Sequence, residues 1–123
     1  MANEINKIKI KEKLSLFKEH WSPKIIGELN DCNVMVVKCK GQLPWHHHDD
    51  EDEMFLVVKG KFIVRLKGRE LCLKEGECVF IPRKVEHQTA AEKEAHIIYI
   101  SKKGFVNTGN IKEKRTVTKP KKI

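Results

Sequence analysis

No run of apolar residues in this 123-residue chain exceeds five, reached at Met54 to Val58. A membrane-spanning helix needs about 20, so none is encoded and no membrane partner is expected. The opening residues, Met-Ala-Asn-Glu-Ile-Asn-Lys, contain no apolar stretch and no small-residue cleavage site, and no secretory leader is expected. Cysteine is sparse. Cys32, Cys39, Cys72 and Cys78 include no C-x-x-C pair, which excludes a zinc ribbon or a thioredoxin-type motif. Cys39, Cys72 and Cys78 fall within apolar alternations and are expected as buried free thiols of a cytoplasmic protein. Aromatics are few, with two Trp, one Tyr and five Phe. A single-strand nucleic-acid surface needs aromatics interleaved with a basic stripe, and the acids Asp49–Glu53 argue further against one. No nucleic-acid partner is expected.

The net charge of +8 sits at the ends. Residues 1–20 carry five Lys and three Glu, residues 112–123 carry six basic residues and one Glu, and the stretch between is nearly neutral. The length suits one domain with one modest core. Three regions follow: an N-terminal arm with a short helix (1–20), a folded body (21–111) and a basic tail (112–123). The tail has only Val117 and Ile123 as apolar residues and is expected to be solvated and flexible.

Within the arm, Lys11 to Phe17 suits one or two helical turns with Leu14 and Phe17 on one face. Ser22-Pro23 then resets the chain to an extended conformation. Beyond it the hydrophobic period is two. Strands are predicted at Lys24–Leu29, Val34–Lys40, Met54–Lys59, Lys61–Leu66, Glu70–Leu73, Cys78–Pro82 and Ala95–Ile100, with a short one at His87–Ala90. Asn30-Asp31, Gly60, Lys67-Gly68 and Glu75-Gly76 separate them. No segment between strands is long enough for crossover helices. An all-β sandwich or barrel is the predicted class.

The chemistry is concentrated in Gly41-Gln-Leu-Pro-Trp-His46-His47-His48-Asp-Asp-Glu-Asp-Glu53. Residues two apart on a strand share a face, so His46 and His48 converge while His47 points away. A loop through the acids lets Glu53 return a carboxylate to the same cavity. Downstream, Gly76-Glu-Cys-Val-Phe-Ile-Pro82-Arg-Lys-Val-Glu-His87 supplies a third imidazole after a strand that Pro82 ends. Three imidazoles and a carboxylate suit one divalent transition metal: Fe, Mn, Ni, Co or Zn. His20 and His96 lack such context and are read as non-ligands, and Trp21 and Trp45 as packing residues.

These residues resemble the two motifs of the cupin superfamily, G-x5-H-x-H-x3–4-E-x6-G and G-x5-P-x-G-x2-H-x3-N. His46, His48, Glu53 and Gly60 match the first; Gly76, Pro82 and His87 match the second. The resemblance covers roughly 20–110 and is closest to the small single-domain conserved-barrel cupins. It implies an antiparallel double-stranded β-helix, or jelly-roll barrel, with the metal bound by His46, His48, Glu53 and His87. Three departures stand out: four residues rather than five separate Gly41 from His46, Lys84 replaces the second motif's glycine, and Ala91 replaces its asparagine. Asn107-Thr108-Gly109-Asn110 is read as the turn that closes the barrel.

A cupin with this ligand set is expected to bind or transform a small oxygen-rich metabolite, by dioxygenase- or isomerase-like chemistry that the ligands do not separate. A non-enzymatic metabolite sensor or structural barrel is the alternative. No acid–base residue stands out beyond the ligands. Phe62, Val64, Phe80 and Ile98 are expected to form the dry wall of the cavity, and the chain is expected to form a homodimer.

Overall fold

Alternating inward and outward side chains determine where every long strand of this protein lies. In the computed structural model, which describes residues 4–123, helix α1 (Ile10–Leu14) precedes strands β1 (Lys24–Leu29), β2 (Cys32–Gln42), β3 (Glu53–Lys59) and β4 (Phe62–Leu66). Strands β5 (Arg69–Leu73), β6 (Cys78–Ile81), β7 (Gln88–Lys102) and β8 (Lys121–Lys122) complete the chain. No helix among the described residues is long and apolar enough to cross a membrane.

The strands run β5-β4-β7-β2-β1-β8, and β3 joins β6 to β7. All these pairs are antiparallel except β1 with β8. The class is all-β of the jelly-roll type, and the strands wrap the core without closing into a continuous hydrogen-bonded ring. The two strands predicted around His87–Ala90 and Ala95–Ile100 are one long strand, β7. Its first half pairs with β4 and its second half with β3, while β2 follows it along both halves. Exposed Glu92, Lys93 and Glu94 mark the middle of β7, beside a register shift in β2. Such an irregularity bends a strand, which lets one strand serve both layers.

Inward positions 35, 37 and 39 of β2, 55 and 57 of β3, 62 and 64 of β4, and 95, 97 and 99 of β7 form the core, capped by Trp21 and Phe105. Leu14 and Phe17, on one face as expected, cover Val36 on the outside of β2. The dry-wall expectation is corrected in part. Phe62 and Val64 lie inside, but Phe80 is 70% exposed and Ile98 packs outward under α1. Cys39 is buried, whereas Cys72 and Cys78 are exposed, contrary to expectation; all four cysteines are free. Alternation had given these strands two faces without saying which was covered.

The basic tail is likewise corrected: it docks on the body. Lys24 and Ile25 of β1 pair in parallel with Lys121 and Lys122, and Ile123 packs near Leu14, Phe17 and Val36. Asn107 accepts a hydrogen bond from the Val117 N–H at 2.6 Å and donates to the Arg115 carbonyl at 3.0 Å. Deleting residues 112–123 therefore removes a strand, these hydrogen bonds and those of Arg115 and Ile123 to the body, and a packed isoleucine. A loss of roughly 2–4 kcal/mol is expected. Thermal unfolding checks this, and an unchanged midpoint would show that the docked tail contributes nothing.

Candidate metal centre

His46, His48, Glu53 and His87 are all buried, and one ligand atom from each lies within 4.8 Å of the others. The structure brings together the four residues the motifs singled out. Glu53 opens β3 with its side chain inward, two positions before Phe55 on the same face. His46 and His87 face each other in an isolated antiparallel bridge. Each backbone N–H donates to the other's carbonyl at 2.9 Å. Two imidazoles far apart in sequence are thus fixed by one short backbone ladder.

The same segments set the tautomers. Nδ1 of His46 donates to the Pro44 carbonyl and Nδ1 of His87 to the Val85 carbonyl, each at 2.8 Å. A carbonyl only accepts, so the proton of each neutral ring sits on Nδ1 and the Nε2 lone pair is free. Nε2 of His87 lies 2.8 Å from Oε1 of Glu53, and Nε2 of His48 lies 3.2 Å from its Oε2. Despite these distances, Nε2 of His48, Nε2 of His87 and Oε1 of Glu53 have no hydrogen-bond partner. The Nε2 lone pair of neutral His87 and the Glu53 carboxylate repel unless a positive species, a proton on the ring or a cation, lies between them. This donor set fits a divalent transition metal.

The electrostatics agree. Burial and the neighbouring imidazoles lower His46 to about 4, against a smaller upward pull from the Pro44 carbonyl. Burial pushes Glu53 up, but His48 and His87 outweigh it and hold the carboxyl at about 2. Burial also pushes His87 down; Glu53 beside it prevails, and its pKa is raised. The cluster already stabilises a negative carboxylate facing imidazoles.

Glycine conformations shape the loops around it. Lys84 replaces the motif's glycine yet keeps a glycine-like φ of 68°, and its N–H donates to the His48 carbonyl at 2.6 Å. The left-handed region costs an L-residue about 1–2 kcal/mol, and the loop retains the turn in spite of that. Gly109, at φ +56°, sits so close to the His46–His47 backbone that a Cβ would lie 2.2 Å from the His47 carbonyl oxygen. Asn110 accepts from the His47 N–H at 2.9 Å, and Asn107 donates to the Trp21 carbonyl at 3.1 Å. The 107–110 turn braces the first motif.

His47 is half-buried between Asp49 and Glu86, at 3.1 and 3.0 Å, outside the cluster. His20 and His96 bind Glu94 instead, at 2.7 and 2.9 Å. Trp21 is a core residue, as read from sequence, whereas Trp45 is 38% exposed. A narrow cavity adjoins the cluster, walled by Trp21, Val37, Leu43, Phe55, Phe62 and Ile97, with His46 and Glu53 at one side. Sequence reasoning missed Tyr99, whose hydroxyl donates to Oε2 of Glu53 at 2.5 Å. Burial and the Glu53 charge raise its pKa well above that of an ordinary phenol. The phase of β7, with Ile97 inside, was the signal that could have placed Tyr99 and Ser101 inward as well.

A jelly roll that gathers three imidazoles and a carboxylate from two strand-end motifs defines a metal-site cupin architecture. The cupin domain model matches residues 33–101, and the chain belongs to that family. It is similar to a cupin-2 domain containing protein from Shewanella frigidimarina, 40% identical, over 76% of this chain and 91% of that one, with a TM-score of 0.74. Protein NMB1881 from Neisseria meningitidis is 28% identical over 79% and 99% of the two chains, with a TM-score of 0.72. KdgF from Halomonas sp. is 28% identical over 65% and 76%, with a TM-score of 0.58. The uncharacterized protein YdbB of Bacillus subtilis is 37% identical over 65 residues, 52% of this chain, and the match spans 58% of that relative's length.

Proposed function

We propose that the protein holds one divalent transition metal through His46, His48, Glu53 and His87 and uses it to bind or transform a small oxygen-bearing metabolite. The carrying observation is the set of buried, unpartnered polar atoms on His48, Glu53 and His87, which converge beside the narrow cavity. When bound, the metal supplies Lewis-acid polarisation and a fixed point of orientation for an oxygen donor. The chain's own contribution is to turn Nε2 of His46 and His87 into the cluster, hold the carboxylate ionised and exclude water with the Phe55, Phe62 and Ile97 wall. Dioxygenase- and isomerase-like chemistry both fit this ligand set, as does a metabolite sensor that performs no reaction. Elemental analysis of protein purified without added metal tests the proposal. About one metal per chain supports it, and protein that neither retains nor takes up a divalent metal refutes it. The free thiols support the cytoplasmic setting expected from the sequence.

A homodimer is also proposed. Phe80, Met54, Ile100 and Val34 align in register across β6, β3, β7 and β2 on the outer face. Helix α1 covers the adjacent row at Val36 and Ile98 and leaves this one open. Ile5, 99% exposed, and Ile8, 44% exposed, stand in the lysine-bearing arm. The acids Asp49–Asp52 lead directly into β3 beside Met54, so apolar and charge complementarity both favour a second copy. Sedimentation of the full chain is expected to give twice 14.3 kDa, and Phe80→Glu to give a monomer. A wild-type monomer at high concentration would sink the idea.

A further inference from the structure

Glu53 presents two oxygens in different circumstances. Oε2 accepts the Tyr99 hydroxyl at 2.5 Å, within a buried pair. An O–H···O⁻ contact of this length is charge-assisted and about twice as strong as a neutral one. Oε1 has no hydrogen-bond partner and faces Nε2 of His87 at 2.8 Å. A carboxylate free on both sides can turn, or chelate a cation through both oxygens. Oε2 also lies 3.2 Å from Nε2 of His48, but with the phenol on it, Oε1 is the one carboxylate oxygen without a hydrogen-bond partner.

The phenol is itself held in place. Phe55 stacks on the Tyr99 ring at 5.1 Å between centroids, and Phe105 meets it edge-on at 5.2 Å. Phe55 lies on the same inward face of β3 as Glu53, and Phe105, fully buried, comes from the turn after β7. Carboxylate, phenol and both phenyl rings thus form one packed unit. Moving the hydroxyl away from Glu53 would require opening the core.

We infer that Tyr99 is a positioning residue of the metal centre, which by occupying Oε2 restricts Glu53 to a one-oxygen ligand through Oε1 and thereby sets metal affinity and coordination geometry. The inference rests on the metal-site reading of His46, His48, Glu53 and His87. A purely structural hydroxyl would stabilise the fold and leave the properties of the bound metal unchanged.

The test uses the full chain with Zn(II) and Co(II) as probes. Tyr99→Phe keeps the ring packing and removes one oxygen. It is expected to weaken Zn(II) binding by about 10–100-fold, the usual effect of losing a partner that orients a ligand. The visible absorption bands of the Co(II)-loaded variant should also shift, because the freed Oε2 can enter the coordination sphere. Phe105→Leu, which keeps the hydroxyl but loosens the clamp, should shift the bands the same way and less. Tyr99 is the only tyrosine in the chain, so its ring Cζ carbon gives one assignable NMR signal. In the wild-type protein that signal should move on addition of Zn(II), which keeps the inference testable if Tyr99→Phe fails to fold. Superimposable cobalt spectra with unchanged or tighter Zn(II) binding in the variant, or an unmoved tyrosine signal in the zinc-loaded wild type, would overturn the inference alone. A wild-type protein that binds neither metal would overturn the metal-site reading and this inference with it.

Discussion

Alanine at both His48 and His87 is expected to strip the purified protein of its metal. Outer partners of metal ligands are typically worth about 10–100-fold in affinity, so losing two of the four ligands should cost at least that much. The fold should survive, because the two carbonyls that hold His46 and His87 belong to the backbone and the His46–His87 bridge is itself backbone. Elemental analysis of the double variant beside the wild type reads the outcome, and full stoichiometry in the variant would refute the ligand assignment.

The same ligands make binding pH-dependent with a defined sign. Coordination needs neutral imidazoles, so protons compete with metal. His46, lowered to about 4, is neutral throughout the working range and offers little competition until strong acid. His87 is raised above the ordinary value of 6.5, because Glu53 outweighs the effect of burial, so it retains a proton to higher pH and must release it to bind. Affinity is therefore expected to be full well above pH 6.5 and to fall as pH drops through the raised His87 value. In the metal-free fold, the depressed His46 costs stability progressively from about 6.5 down to about 4. Metal titrations between about pH 5 and 8 check the first expectation. A flat profile would mean that these imidazoles are not the ligands.

Gly109→Ala is expected to damage both the fold and the site, although residue 109 ligates nothing. The added methyl would sit 2.2 Å from the His47 carbonyl oxygen and 3.0 Å from Cδ2 of the His46 ring. The first of these is backbone, which cannot swing aside as the end of a flexible side chain can. Relief requires shifting either the 107–110 turn or the strand end that carries His46 and His48. Overpacking and left-handed strain together suggest a loss of about 2–4 kcal/mol. Metal affinity should fall with it, because the His46–His87 bridge moves with the His47 backbone. Calorimetric unfolding and metal titration of the variant check both expectations. Wild-type values in each would show that the turn is not pressed against the site.

Much of this could be read from the residues in order. A hydrophobic period of two located β1 at Lys24–Leu29 to the residue and most of the other strands closely. It also placed His46 and His48 on one side of the chain, because residues two apart share a face, and the loop through the acids let Glu53 return a carboxylate to them. The spacing to His87 added the third imidazole of the cluster.

What parity cannot say is which face is covered, what lies opposite, or where a strand bends. Phe80 and Ile98 read as wall residues, but α1 covers one of them from outside and nothing among the described residues covers the other. The tail's composition read as solvated, yet the Ile123 N–H donates to the Ile25 carbonyl at 3.0 Å. That pairing depends on an open strand edge, which no local pattern records. Tyr99 stands 46 positions from Glu53, and only the pairing of β3 with β7, Phe55 opposite Tyr99, brings its hydroxyl to the carboxylate. The sequence alone therefore determined the strands and the three-imidazole, one-carboxylate donor set, since both are encoded by the spacing of residues along the chain. Tertiary structure decided the orientation of Glu53, the tautomers of His46 and His87 and the docking of the tail, because each depends on a backbone or side-chain partner that the fold supplies.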